Sequence, residues 1–314
     1  MVGFTIDEQK FAKIDDVAAV MRDLSNLLTV IHDRGQQVYK SDDLYYIQIL
    51  NGVELCSLLY DEQHRSLLDE VDRRLLSIVL DRCIGLDAVN WAIPDAEVLL
   101  DGERVESKAV LFAITKALHK ESIGIIHPKP VERLGPLNAS VGTHSTMIFH
   151  VGMTLPLEKF YRFTMSFEEV SRQDFRKWTA FAFERLRFAL DPSSEINRFK
   201  QKYEKIRDDL ILHLSAINDE FVSLLDSGKE LSEICKQVKA ECKIDISPES
   251  SQTHGNARAM SHRVVNFEGN KIVCEFHSKL TPMYDRIHFS PTLRKDQMGM
   301  LYLVVGPFAE HLPT

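Results

Sequence analysis

The sequence has no Cys-x-x-Cys pair, no apolar run approaching about eighteen residues and no glycine-rich phosphate loop, and each gap removes a class of function. Its five cysteines (Cys56, Cys83, Cys235, Cys242, Cys274) are odd in number and widely spaced, which argues against a zinc ribbon or a thioredoxin-type centre. Cys56, Cys83 and Cys235 stand among apolar neighbours, where a free thiol behaves as a small hydrophobe. Without a long apolar run no membrane partner is expected. Without a basic segment followed by an apolar one near Met1 no signal peptide is expected, so the expected location is cytoplasmic. Neither G-x-x-x-x-G-K-[ST], G-x-G-x-x-G nor G-x-S-x-G occurs, which removes the main support for ATPase, dinucleotide oxidoreductase and α/β-hydrolase readings.

What remains is a globular chain of 314 residues, 44% hydrophobic and 27% charged, long enough for two domains. Its formal charge of -8 excludes polyanion binding by bulk attraction. The charge is unevenly spread. Residues 1–126 hold 22 Asp/Glu against 13 Lys/Arg, a net of -9, so the other 188 residues sum to +1. Within 255–295, seven basic residues (Arg258, Arg263, Lys271, Lys279, Arg286, Arg294, Lys295) face Glu268, Glu275 and Asp285, a net of +4. A basic tail of this kind suits contact with the acidic front half or with a phosphate-bearing ligand.

Periodicity predicts a helix from Asp16 to Arg34, a β-rich run Leu44–Leu50, a second helix from Glu62 to Cys83 and a hairpin over Val98–Val105. A helix Lys108–Lys120 and a buried strand Ile123–Ile126 follow. Residues 128–143, rich in proline and glycine, read as a loop or linker. Beyond it the pattern predicts strands Thr146–Leu155 and Phe160–Phe167 and an aromatic helix over 171–188. In that helix Arg176, Lys177, Arg185 and Arg187 interleave with rings as in a nucleic-acid stacking surface. The clearest stripe is Ile196, Phe199, Tyr203, Ile206, Leu210, Leu214, Ile217, Phe221 and Leu224, which predicts one long amphipathic helix over 194–226. Its stripe covers the chain's own core or forms a seam with a protein partner or a second copy. A helix over Ser232–Cys242 comes next. The tail then reads as four strands, Val264–Phe267, Lys271–Phe276, Arg286–Phe289 and Met300–Val305, with a tight turn at Glu268-Gly269-Asn270. The expected fold class is α+β: an acidic α/β region over 1–127, the linker, a strand pair and helices over 144–245, and an antiparallel β-unit over 246–314.

Chemistry concentrates in the tail. Strand alternation places Glu275, His277 and Lys279 on one face and Cys274, Phe276 and Ser278 on the other, and sets Arg286 with His288 against Ile287 and Phe289. An open face carrying Glu275, His277, Lys279, Arg286 and His288 suits a phosphodiester. The cations would neutralise phosphate and the histidines move a proton, with His311 or Glu275 assisting. Arg258, Arg263, Arg294 and Lys295 are the expected nucleic-acid contacts. The same histidines could hold zinc, but no short ligand spacing occurs, so no metal or other cofactor is expected there.

The run Cys274–Lys279, then Asp285–Phe289, then Leu301–Gly306 through Glu310-His311-Leu312, resembles the closing β-strands of RelE-like ribonuclease toxins. It is also similar to the C-termini of bacterial proteins encoded near anti-phage defence genes. The resemblance covers about 50 residues. It implies a nucleic-acid-directed effector, an RNA- or DNA-cleaving component of a bacterial antiviral defence or toxin system. The alternative is a non-enzymatic subunit that binds a protein or nucleic acid. A second pattern, Pro94-Asp95 followed by Glu106-Ser107-Lys108, fits the spacing of a large magnesium-dependent nuclease superfamily. There Asp95 and Glu106 would bind Mg²⁺ and Lys108 would assist water.

Overall fold

Apolar residues at period two alternate with amphipathic stretches through the first half of the chain, and in the computed structural model these become strands and helices of a doubly wound sheet. The structure describes residues 2–12, 14–50, 52–127, 134–153, 156–310 and 312. The chain is α+β and divides into two units, Met1–Phe163 and Thr164–Thr314.

The first unit runs β1 (Gly3–Ile6), α1 (Val17–Asp33), β2 (Gln37–Lys40), the short β3 (Gln48–Leu50) and β4 (Val53–Glu54), α2 (Leu55–Tyr60), α3 (Glu70–Asp81) and β5 (Ile84–Gly85). It continues through the hairpin β6 (Val98–Leu100) and β7 (Glu103–Arg104), α4 (Lys108–Leu118), β8 (Ile123–His127), β9 (Gly135–Val141) and β10 (His144–Gly152), and ends within α5 (Leu157–Phe167). The strand order is β5-β2-β1-β8-β10-β9-β6-β7. The first five are parallel and the last three add antiparallel. β1 and β8 are buried along their whole length, as parallel strands covered on both faces must be. From β1 the chain builds outward to β2 and β5, then returns to place β8 on the other side of β1. The order therefore reverses between β1 and β8.

Two sequence expectations fail in this unit. The stretch 128–143 carries a strand: β9 pairs with β10 from Gly135↔His150 to His144↔Val141, burying Leu137, Ala139 and Val141 and exposing Pro136 and Asn138. Period-two alternation was present there under the proline and glycine signal; residues 128–133 lie outside the described residues. The expected strand Phe160–Phe167 is helical because Leu157, Phe160, Tyr161, Thr164 and Met165 repeat at three and four and are all buried. Smaller shifts have local causes. Asp69 accepts from Asp72 N at 2.9 Å and starts α3 there, so 62–67 forms a separate 3-10 turn. Asp42–Tyr46 is likewise a 3-10 turn before the short β3.

The second unit runs α6 (Phe175–Ala182), β11 (Leu186–Phe188), α7 (Pro192–Glu195), α8 (Tyr203–Ala216), a π turn Ile217–Phe221 that continues into α9 (Val222–Asp226), and α10 (Leu231–Cys242). β12 (Ile246–Pro248), the single turns α11 (Ser251–His254) and α12 (Ala257–Ser261), and the hairpin β13 (Val264–Phe267) and β14 (Asn270–Val273) come next. β15 (Phe276–Lys279), β16 (Arg286–Phe289), β17 (Arg294–Lys295) and β18 (Leu301–Ala309) close it. The sheet order is β11-β18-β16-β15-β12, antiparallel except for β11 beside β18. Glu268 and Gly269 hold φ of 49° and 78°, the paired left-handed conformation of a two-residue hairpin turn.

The long helix expected over 194–226 begins at Tyr203. Ile196 and Phe199 belong to turns that precede it, and Lys202 is extended. Its stripe (Tyr203, Ile206, Leu210, Leu214, Ile217, Phe221) is buried within its own unit, so it is not a free seam for a partner or second copy. Phe221 meets Phe289 edge-on at 5.1 Å between centroids, and His213 Nδ1 lies 2.7 Å from Ser278 Oγ. The helix therefore covers the Phe276, Ser278, Ile287 and Phe289 face. The aromatic helix expected over 171–188 is only α6; Leu186–Phe188 has turned into β11. The expected strand 271–276 splits into β14 and β15.

Gly124 marks a close approach of two aromatic rings in the first core. A Cβ there would stand 2.8 Å from Phe4 Cδ1 and 3.0 Å from Phe160 Cε1, both in packed rings. Gly124→Ala should destabilise the first unit by about 1–3 kcal/mol, the usual cost of overpacking, read as a lower urea midpoint. An unchanged midpoint would show that the rings yield freely.

Candidate functional site

Among the described residues, each unit holds a cluster of buried ionisable side chains. In the second unit, antiparallel register sets His277 opposite His288 and Lys279 opposite Arg286. The expected open face does not follow. His277 is 5% exposed and His288 fully buried, because the chain after β12 brings Glu249 over them and the turn after α12 brings Arg263. Glu249 N donates to Glu275 O at 2.9 Å, continuing the β12–β15 ladder and placing the carboxylate above the pair. Glu249 Oε1 lies 2.8 Å from Arg263 Nε, 3.2 Å from His277 Nδ1 and 3.4 Å from His288 Nε2. On the far side of the rings, His288 Nδ1 lies 3.1 Å from Pro307 O and His277 Nε2 3.3 Å from Ser247 Oγ. Burial alone would push the Glu249 carboxyl up, but His277, His288 and Arg263 outweigh it and hold it far below the usual range. His288 is pushed down by burial, against the pull of Glu249 and Pro307.

The other tail residues do not join this cluster. Glu275 precedes β15 and faces His254, with Nε2 to Oε2 of 3.9 Å. Lys279 Nζ is held by Asp245 Oδ2 at 2.9 Å. Arg286 is half-buried. His311 lies outside the described residues. Arg263, expected to contact nucleic acid, is fully buried on Glu249, while Arg258 and Lys295 are exposed and Arg294 half-buried. Of the arginines in the expected stacking helix, Arg176 and Arg187 line a cleft of about 470 Å³ with Thr179, Phe188 and Pro192. Arg187 is engaged there, 3.3 Å from Asp296 and over the Tyr302 ring.

The magnesium pattern spans the β6–β7 hairpin and the start of α4. Asp95 and Glu106 are exposed, and Ser107 caps α4 by accepting from Val110 N at 3.2 Å, which makes Lys108 the first helical residue. Lys108 Nζ pairs with Asp43 at 2.8 Å. Among the described residues one group of three potential metal ligands has all its donor atoms within 4.8 Å, and it is Glu249, His277 and His288.

The first unit holds a cluster that sequence reading missed. Asp7 follows β1, His127 ends β8, and His150 lies in β10 two residues before Gly152, the partner of His127. The carboxyl ends of these strands meet where the strand order reverses, the place where open α/β sheets bind ligands. Asp7 N donates to Ile126 O at 3.1 Å, and Asp7 Oδ1 accepts from Gln9 N at 3.2 Å. Neighbouring Glu8 turns to the positive end of α4, accepting from Lys108 N at 2.6 Å and from Ser107 Oγ at 2.9 Å. Asp7 Oδ2 is 3.7 Å from His127 Nε2, too far for a hydrogen bond, and the His127 and His150 rings lie 4.2 Å apart. Both His127 nitrogens and His150 Nε2 are buried with no hydrogen-bond partner among the described residues. Burial, then Glu8, raise Asp7 to about 6 against Ser107 and Lys10. Burial, His150 and Lys10 lower His127 to about 3; burial and Lys10 lower His150 to about 4.

No protein-family model matches the chain, and no curated protein or solved structure matches it. Among the described residues no helix is long and apolar enough to cross a membrane.

Asp7 ionises near 3.8 when unfolded and near 6 when folded, so its ionisation opposes folding as pH rises through that window. His127 and His150 act the other way, losing stability as pH falls below about 6.5. Asp7→Asn should therefore stabilise the first unit at pH 7, by at most about 3 kcal/mol, with no gain below about pH 4. Urea midpoints across pH check this; a lower midpoint at pH 7 would contradict it.

Proposed function

We propose that the protein is an enzyme whose centre is the Asp7, His127 and His150 cluster, and that it binds a small polar molecule and moves a proton on it. The observation that carries this reading is the convergence of buried imidazole nitrogens without partners at the strand-order reversal. Unsatisfied buried polar groups cost about 1–3 kcal/mol each, and a ligand that supplies their hydrogen bonds recovers that cost. Asp7, with a pKa of about 6, exchanges its proton close to neutral pH, as a general acid or base must. The neutral imidazoles each offer one donor and one acceptor. The net charge of -9 over residues 1–126 disfavours a polyanion here.

A second reading keeps the nucleic-acid-directed effector, an RNA- or DNA-cleaving component of bacterial defence or a non-enzymatic binding subunit. Its support is the tail resemblance and the exposed Arg258 and Lys295. The burial of His277 and His288 withholds the expected face from a phosphodiester, so this reading calls for contact through the exposed cations.

One experiment separates the two. Wild type, His127→Gln and an Arg258→Glu/Lys295→Glu double variant are screened for thermal stabilisation by nucleosides, sugars, amino acids and small carboxylates, and for binding of labelled RNA and DNA. A small molecule at about 100 times its Kd should stabilise wild type by roughly 2.7 kcal/mol, and His127→Gln should abolish the effect. Salt-sensitive nucleic-acid binding lost only in the double variant, with no small-molecule response, would overturn the first reading in favour of the second.

A further inference from the structure

We propose that Glu249, His277 and His288 form a binding site for a divalent transition-metal ion, contrary to what their spacing in sequence suggested. Their donor atoms (Oε1, Nδ1 and Nε2) all lie within 4.8 Å of one another, at 3.2 and 3.4 Å from oxygen to each nitrogen. Bonds of about 2.0–2.2 Å to a common ion place neighbouring ligand atoms roughly 3.0–3.5 Å apart. All three atoms are buried and none makes a hydrogen bond of acceptable geometry, so the approach is not explained by bonding among themselves.

The tautomer at His288 sharpens this. Pro307 O can only accept, so Nδ1 carries a hydrogen and Nε2 is the nitrogen turned toward Glu249. An imidazole that donates one nitrogen to a backbone carbonyl while offering the other is the arrangement that orients metal-bound histidines. Ser247 Oγ, 3.3 Å from His277 Nε2, gives the outer nitrogen of the other ring a partner that can accept its hydrogen. The ligands come from three adjacent strands or their ends, β12, β15 and β16, so the set is held by the sheet and not by a loose loop.

Arg263 Nε, 2.8 Å from the same oxygen, opposes a second cation, and this bears on which ion the site takes. A carboxylate oxygen has two lone pairs, so Arg263 can hold Glu249 in place while the ion takes the other. Its charge weakens binding and favours ions with strong nitrogen affinity, such as Zn²⁺ and Co²⁺, over Mg²⁺ or Ca²⁺. Three protein ligands leave a fourth position open, which an anionic ligand would fill best.

The full-length protein is freed of metal with chelator and titrated with Zn²⁺, Co²⁺ and Mg²⁺. The expected result is about one equivalent of Zn²⁺ or Co²⁺, visible ligand-field bands with Co²⁺, no thiolate charge-transfer band, and no Mg²⁺ binding. His277→Gln should weaken the affinity at least about tenfold with unchanged circular dichroism, while Asp7→Asn leaves it intact. Should His277→Gln fail to fold, histidine ¹⁵N resonances of wild type with Zn²⁺ serve instead, the expected shifts falling at His277 Nδ1 and His288 Nε2. Absence of stoichiometric binding, cobalt spectra showing cysteine ligation, or shifts confined to other histidines would overturn the proposal.

Discussion

A charge removed from water costs several kcal/mol unless counter-charges and hydrogen bonds meet it, and both units are arranged around that constraint. In the second unit the charge is Glu249. Its oxygen is approached by Arg263, His277 and His288, and the segment from β12 to the end of α12 is folded over β15 and β16 to bring that about. Cys274 N donates to Arg263 O at 2.8 Å, and Arg263 Nη1 donates to Ala259 O at 2.8 Å, so the guanidinium is fixed from both flanks. Removing one member of such a set leaves the others uncompensated, which costs more than the set gains.

The first unit meets the constraint unevenly. Glu8 accepts from the start of α4, while burial pushes Asp7 toward its neutral form and leaves both His127 nitrogens and His150 Nε2 without partners. Burial raises Glu8 as it raises Asp7, so the hydrogen bonds from α4 temper a shift that both acids share. Local destabilisation of this kind collects at functional sites. In the second unit each imidazole has a partner on one nitrogen, Ser247 Oγ or Pro307 O, whereas His127 has one on neither, and that contrast directs the functional reading to Asp7, His127 and His150.

Much of the fold was legible in sequence because it is local. Asp16 caps α1, Glu268-Gly269 makes the β13–β14 turn, and the stripe from Tyr203 onward marks α8 and α9. Strand alternation also put His277 and His288 on a shared face, where the register pairs them. What failed was competition between signals. Aromatic composition hid the helical period of α5, and proline hid the alternation of β9. The candidate sites were less legible because they are non-local. Glu249 meets partners 14, 28 and 39 positions away (Arg263, His277, His288), and in sequence it is one acid in a polar connector. Asp7 and His127 stand 120 positions apart and meet only because β1 and β8 are neighbours. The presence of Asp7-Glu8 at the end of an apolar strand was the one available hint.

The central claim is that these histidines are enclosed. Carbethoxylation at neutral pH, mapped residue by residue by mass spectrometry, measures that directly. His119, His144, His254 and His262, which are exposed, should react readily, and His127, His150, His277 and His288 should stay protected until the chain is unfolded. Modification of His277 and His288 at the rate of the exposed group would contradict the account and restore an open catalytic face in the tail.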